Sequence, residues 1–191
     1  MERKILIAGS VFLGVLIFVA VAASLVKKQE FKGVVISPSP NAPEISLINQ
    51  FGHPFSLATE KGNVVLIYFG YTNCPDNCPL TMAKLKEVLA ELKNQSSNIV
   101  VIMVTTDPGR DSPEKLKNYL ANFNPQFLGL SGSVTDLEKV WKDYGVTVLD
   151  GGETHSDRVY VIDQQGHFRL TFPFEMSPAD IAGDLRILLD E

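Results

Sequence analysis

Residues 64–69 (VVLIYF) and 99–104 (IVVIMV) are two unbroken apolar runs rich in β-branched and aromatic side chains. A strand with one face in water alternates apolar and polar residues, so runs without alternation mark strands buried on both faces. Between them, Met82, Leu85, Val88, Leu89 and Leu92 recur at helical spacing over residues 81–92. Strands covered on both faces need helices on both sides of their sheet. The two runs therefore predict an α/β domain around a central sheet.

The flanking sequence fills in that plan. Residues 45–48 and 54–57 surround a turn at 49–53 and predict an N-terminal hairpin. Residues 113–123 fit a helix with Ser112 as its N-cap and Pro113 at its first position. A short strand is expected at 127–130. A helix follows at 133–144, with Trp141 on its apolar face and Gly145 closing it. Residues 159–162 and 168–172 flank the turn Asp163-Gln164-Gln165-Gly166, and so short a loop makes the pair antiparallel. The last helix, 177–189, opens with Ser177 and Pro178. The expected architecture is a mixed central sheet with helices on both faces.

Ahead of this lies a different kind of segment. Residues 5–26 form a 22-residue run without charge, flanked by Arg3 and Lys4 before and Lys27 and Lys28 after. As a helix it spans roughly 30 Å, one hydrocarbon core. It is longer than the apolar region of a secretory signal, although Ala20-Val21-Ala22 would suit cleavage; an uncleaved anchor is the reading taken. With no cysteine there, lipid anchoring through a thioether is excluded. The expected organisation is a short tail (1–4), a transmembrane anchor (5–26), a proline-rich linker (27–43) and a globular domain (44–191). Prolines 38, 40 and 43 favour an extended spacer, which fully stretched would reach roughly 50 Å.

Charge narrows the partners. The chain carries 17 Lys and Arg against 22 Asp and Glu, net −5. Residues 1–32 hold five of the basic and two of the acidic side chains, which leaves the rest strongly acidic. Such a surface repels phosphate backbones, so nucleic acid is not an expected partner.

Both cysteines of the chain lie between the first buried strand and its helix, in Cys74-Pro75-Asp76-Asn77-Cys78-Pro79. Three readings compete. Two small buried hydrophobes fit poorly, because Pro75 and Pro79 place the pair on a loop and a first helical turn. A redox dithiol is favoured by a helix N-terminus, which stabilises thiolate, but thioredoxin-like pairs have two intervening residues and this one has three. A soft-metal site suits two thiolates on one turn, and thiolates select Cu(I) or Zn; a third ligand must then come from elsewhere. Of the three histidines, His53 and His167 sit in or beside hairpin turns. His155 lies in an irregular segment entering the strand at 159–162, and loops at strand ends of open α/β sheets form ligand sites. Met82, Met103 and Met176 fit core positions.

The cysteine element resembles the C-x-x-x-C-P copper site of the Sco (SenC) proteins, thioredoxin-fold copper chaperones for cytochrome c oxidase assembly. Phe69-Gly70-Tyr71-Thr72 precedes the cysteines as the family's F-G-[YF]-T does. Thr106-Asp107-Pro108-Gly109-Arg110-Asp111-Ser112-Pro113-Glu114 resembles its D-P-x-R-D-[ST]-x-E segment. Phe127-Leu128-Gly129-Leu130-Ser131-Gly132 resembles the G-L-[TS]-G strand. His155-Ser156 followed by Tyr160-Val161-Ile162-Asp163 resembles the H-[ST] pair and the strand after it. Thr154 departs from the acidic residue usual before the histidine.

The resemblance implies a thioredoxin-like α/β fold, and copper, as Cu(I) or Cu(II), on Cys74, Cys78 and His155. It implies delivery of copper to, or maintenance of the thiols of, the dinuclear copper site of cytochrome c oxidase subunit II. Three ligands leave an open side through which a partner's cysteine can take the ion. A second copper chaperone or a thioredoxin-like reductant is a further implied partner. That chemistry places the domain on the extracytoplasmic side of the inner membrane, held by a single span. A membrane-anchored thiol–disulfide oxidoreductase is the alternative. It is disfavoured because no proline precedes the strand at 159 in His155-Ser156-Asp157-Arg158-Val159. Asp107, Arg110 and Asp111 are expected to order the loop after the second buried strand.

Overall fold

The computed structural model describes residues 30–149, 152–153 and 157–191. The expected tail and anchor, the first part of the linker and His155 lie outside the described residues. Among the described residues no helix is long and apolar enough to cross a membrane.

Residues from Phe31 to Glu191 make one compact unit. Its strands are β1 (Val34–Val35), β2 (Ser46–Asn49), β3 (Pro54–Ser56), β4 (Val64–Gly70), β5 (Ile99–Thr105), β6 (Leu128–Ser131), β7 (Arg158–Ile162) and β8 (Phe168–Pro173). Its helices are α1 (Asn77–Leu92), α2 (Pro113–Ala121), α3 (Val134–Asp143) and α4 (Pro178–Leu189). The strands form one mixed sheet in the order β1-β8-β7-β4-β5-β6-β2-β3. β4, β5 and β6 run parallel, and every other pairing is antiparallel.

The unbroken apolar runs behave as expected. All seven residues of β4 are buried. Val64, Leu66 and Tyr68 turn to one face, where Met82, Leu85 and Val88 of α1 and Ile181 and Leu185 of α4 complete a core. Val65, Ile67 and Phe69 turn to the other, against Leu137 and Val140 of α3. Period-two alternation along a strand sandwiched between helices produces these two cores. Met82 and Met103 are fully buried, and Met176 packs at the edge of the first core.

Helix starts are local. Ser112, Ser133 and Ser177 each accept a hydrogen bond from the backbone N–H three residues on, at 3.2 Å. Each satisfies one of the donors a helix leaves unpaired. Trp141 packs on the second core, and its indole N–H donates to the Thr105 carbonyl at 3.2 Å.

The expected linker needs correction. From Phe31 to Pro43 the chain is laid along the domain rather than free. Val34 and Val35 pair with Thr171 and Leu170 of β8. The Phe168 N–H donates to Pro40 O, and the Ala42 N–H to Gly166 O, both at 2.9 Å. The Asp184 carboxylate of α4, 1% exposed, accepts from the backbone N–H groups of Lys32 and Gly33 at 2.8 and 2.7 Å. Prolines forbid a helix here but do not forbid edge pairing, and an otherwise unpaired β8 edge offers it.

Candidate metal and thiol centre

The cysteines leave the C-terminal end of β4, the middle of the sheet, and enter α1. Asp76 precedes the helix, so Cys78 occupies its second position and Pro79 its third. The first N–H groups of a helix have no internal partner, and proline is therefore tolerated there. α1 begins four residues before the apolar periodicity does, and of those four only Cys78 is buried in the core.

Asp111 fixes the loop. Its buried carboxylate accepts from the Thr72 N–H at 3.2 Å, the Thr72 hydroxyl at 2.5 Å and the Thr105 hydroxyl at 2.7 Å. It thus ties the cysteine loop to the end of β5. Arg110 pairs with Asp107 beside it. The loop-ordering role expected for Asp107, Arg110 and Asp111 is what the structure shows.

Both cysteines are free thiols; Cys74 is half-buried and Cys78 only 4% exposed. They open into a cleft of about 300 Å³ whose lining includes Tyr71, Cys74, Asp76, Cys78, Glu153 and Asp157. The Tyr68 hydroxyl donates to Cys78 Sγ at 3.5 Å. Burial, and then Cys74, push the Cys78 thiol up to about 12 against the pull of Tyr68. Burial pushes Tyr71 up to about 12 as well, with Cys74 the next cause. Burial thus favours the Cys78 thiol over its thiolate, and a thiol is a poor nucleophile.

The far wall of the cleft comes from residues on either side of 154–156. Gly152 has a φ of +82°, and a Cβ there would lie 2.7 Å from the Asp107 Cβ. Its carbonyl accepts from the Thr106 hydroxyl at 2.6 Å. Asp157, at the foot of β7, accepts from the Asn77 side-chain amide of α1. Glu153 and Asp157, which both line the cleft, stand two residues before and after position 155.

The other two histidines are remote from the cysteines. β7 runs antiparallel to β4, with Tyr68 opposite Val159 and Val65 opposite Ile162. His167, in the β7–β8 turn, therefore sits at the opposite edge, its Nδ1 3.3 Å from Asp163. His53 is exposed in the β2–β3 turn, opposite Asn49, and lies at the β3 margin of the sheet, four strands from β4. Among the described residues no group of three or more His, Cys, Asp and Glu side chains could hold a metal. The sequence did not single out Tyr68, Gly152 or Glu153. A glycine closing an otherwise bulky strand was the one local signal, at Gly70.

The family model described as SCO1/SenC matches residues 36–190. A SCO2-like protein of Rickettsia conorii is 37% identical over 156 residues, 75% of this chain and 74% of that protein. The copper-bound ScoI of Bradyrhizobium japonicum has a TM-score of 0.69 at 33% identity, over 78% of this chain and 99% of that one. Copper-bound yeast Sco1 gives 0.71 at 29% identity, over 81% and 90%. The mixed sheet flanked by helices is the thioredoxin-like architecture of these structures. With the family model spanning nearly the whole compact unit and the C-x-x-x-C-P element at its cleft, the chain belongs to the SCO1/SenC family.

Proposed function

We propose that this protein binds copper on Cys74, Cys78 and His155 and serves cytochrome c oxidase assembly. In this reading it delivers copper to the dinuclear site of subunit II, or keeps the thiols of that site reduced. The observation that carries the reading is the cleft. Two free thiols open into it, and the described residues on both sides of 154–156 line it. His155 is the only histidine or cysteine among positions 150, 151 and 154–156. It lies two residues, about 7 Å of chain, from each wall residue. Two thiolates and an imidazole suit both Cu(I) and Cu(II), and the half-buried Cys74 leaves a side open to a partner's cysteine. Copper-bound relatives of the same fold support the choice of ion.

The uncharged run at 5–26 anchors the chain as a single span, with the domain on the extracytoplasmic side of the inner membrane. Protease added to spheroplasts then digests the domain; protection until lysis overturns this placement. For the site, the reduced full-length chain is titrated with copper. One equivalent binds, Cys74→Ser and Cys78→Ser abolish binding, and His155→Ala loses the Cu(II) form. His53→Ala and His167→Ala change nothing. Unchanged Cu(II) binding by His155→Ala removes that residue from the site.

A further inference from the structure

Cys78 is held by more than the fold of its helix. Tyr68 is only 2% exposed, so its hydroxyl cannot turn to water and needs partners inside the protein. One is Cys78 Sγ, at 3.5 Å. Thr81, itself buried, stands near the same hydroxyl. Cys78 and Thr81 are three apart on α1 and share the face turned to β4. The sheet is built to admit this contact. A Cβ on Gly70 would lie 2.6 Å from Tyr68 Cε1 and 3.0 Å from Cys78 Sγ, so only glycine lets ring and sulfur meet.

We infer that Thr81 and Tyr68 form a two-hydroxyl relay, Thr81 donating to the Tyr68 oxygen and Tyr68 donating to the Cys78 sulfur, which positions that sulfur and tempers its donor strength. The direction follows from the groups. The Tyr68 hydroxyl donates to the Cys78 sulfur, which accepts as a thiol and more strongly as a metal-bound thiolate, so the single Tyr68 proton is committed there. The Tyr68 oxygen is then left to accept, and the Thr81 hydroxyl is the donor at hand. The relay distinguishes the two cysteines. Cys78 is buried, pinned and partly neutralised, the sulfur that stays; Cys74 is the half-exposed one, free to exchange. Tyr68 and Thr81 are thus positioning residues for Cys78. The inference deepens the copper reading and rests on it for its purpose, whereas the relay itself exists in the metal-free protein.

The test uses the full-length chain and three variants that each delete one oxygen: Tyr68→Phe, Thr81→Val and Tyr119→Phe. Tyr119 is the control, because its buried hydroxyl has no hydrogen-bond partner among the described residues. Without metal, each protein is equilibrated with glutathione. The Cys74–Cys78 disulfide and two glutathione thiols exchange with the two protein thiols and one glutathione disulfide. A disulfide sulfur accepts hydrogen bonds more weakly than a thiol or thiolate, so the relay favours the reduced form. Tyr68→Phe moves the equilibrium about 5-fold toward the disulfide, the size expected for one hydrogen bond. Thr81→Val moves it in the same direction by less, and Tyr119→Phe leaves it unchanged. With one equivalent of Cu(II), Tyr68→Phe also shifts the sulfur-to-copper charge-transfer band to longer wavelength, because its thiolate is the stronger donor. If Tyr68→Phe and Thr81→Val both match Tyr119→Phe in the glutathione equilibrium, the relay is refuted. Should Tyr68→Phe fold poorly, Thr81→Val alone decides. A wild-type chain that gives no charge-transfer band while the glutathione shift persists overturns the copper reading and leaves the relay standing.

Discussion

Replacing Asp111 with alanine separates loop order from metal chemistry. The carboxylate is 1% exposed and holds the Thr72 N–H, the Thr72 hydroxyl and the Thr105 hydroxyl. Asp111→Ala leaves these three donors without an acceptor. A buried donor deprived of its partner costs about 1–3 kcal/mol. The two hydroxyls can rotate toward other acceptors, whereas the backbone N–H cannot, so the expected loss is about 3–5 kcal/mol rather than the full sum. Against a typical domain stability of about 5–15 kcal/mol, that is a large fraction. Urea unfolding of the full-length chain at pH 7 reads it as a lower midpoint at unchanged slope. Thr72→Val in the Asp111→Ala background removes one stranded donor, so the double variant loses less than the sum of the singles. Cys74 in Asp111→Ala is also alkylated faster, because its loop is no longer tied to β5. An Asp111→Ala chain within about 0.5 kcal/mol of the parent, the range of an ordinary surface change, refutes the reasoning.

Three further outcomes are expected. Gly152→Ala, at a positive φ and with a Cβ 2.7 Å from Asp107, destabilises the domain by about 1–3 kcal/mol in urea unfolding and weakens copper binding in titration. Asp184→Ala strands the Lys32 and Gly33 N–H groups; limited proteolysis then cuts within 31–35 before the rest of the domain, and equal resistance to the parent contradicts the clamp. The Cys78 thiol titrates near 12 when folded, above its ordinary value near 9, so the folded state holds this proton more tightly. Its stabilisation is complete below pH 9 and is lost as pH rises from there toward 12. The fall in unfolding midpoint between pH 8 and 10.5 is accordingly shallower in Cys78→Ser; parallel curves would show that Cys78 contributes nothing.

The elements written into local sequence were those whose energetics are local or purely apolar. β4 and β5 are hydrophobic throughout, and a strand of that kind has only the centre of a sheet to occupy. Ser112, Ser133 and Ser177 cap their own helices within three residues. The cysteine pair, with prolines at 75 and 79, announced a chemical site at the end of β4, and family resemblance supplied the ion. Tertiary structure alone decided the rest, because each remaining feature joins residues far apart in the chain. Residues 31–43 looked like a spacer since nothing in them pairs locally; their partners are β8 and Asp184, more than 120 residues away. Gln50, an unremarkable turn residue, is buried and bridges Phe127 O and the Gly129 N–H at 2.8 Å each, holding the N-terminal hairpin against β6. Tyr68 looked like one more apolar residue of a buried strand, and only the approach of α1 over Gly70 brings its hydroxyl to Cys78. Apolar pattern and capping chemistry are properties of a segment, whereas a buried hydrogen bond between distant residues exists only once the sheet has assembled them.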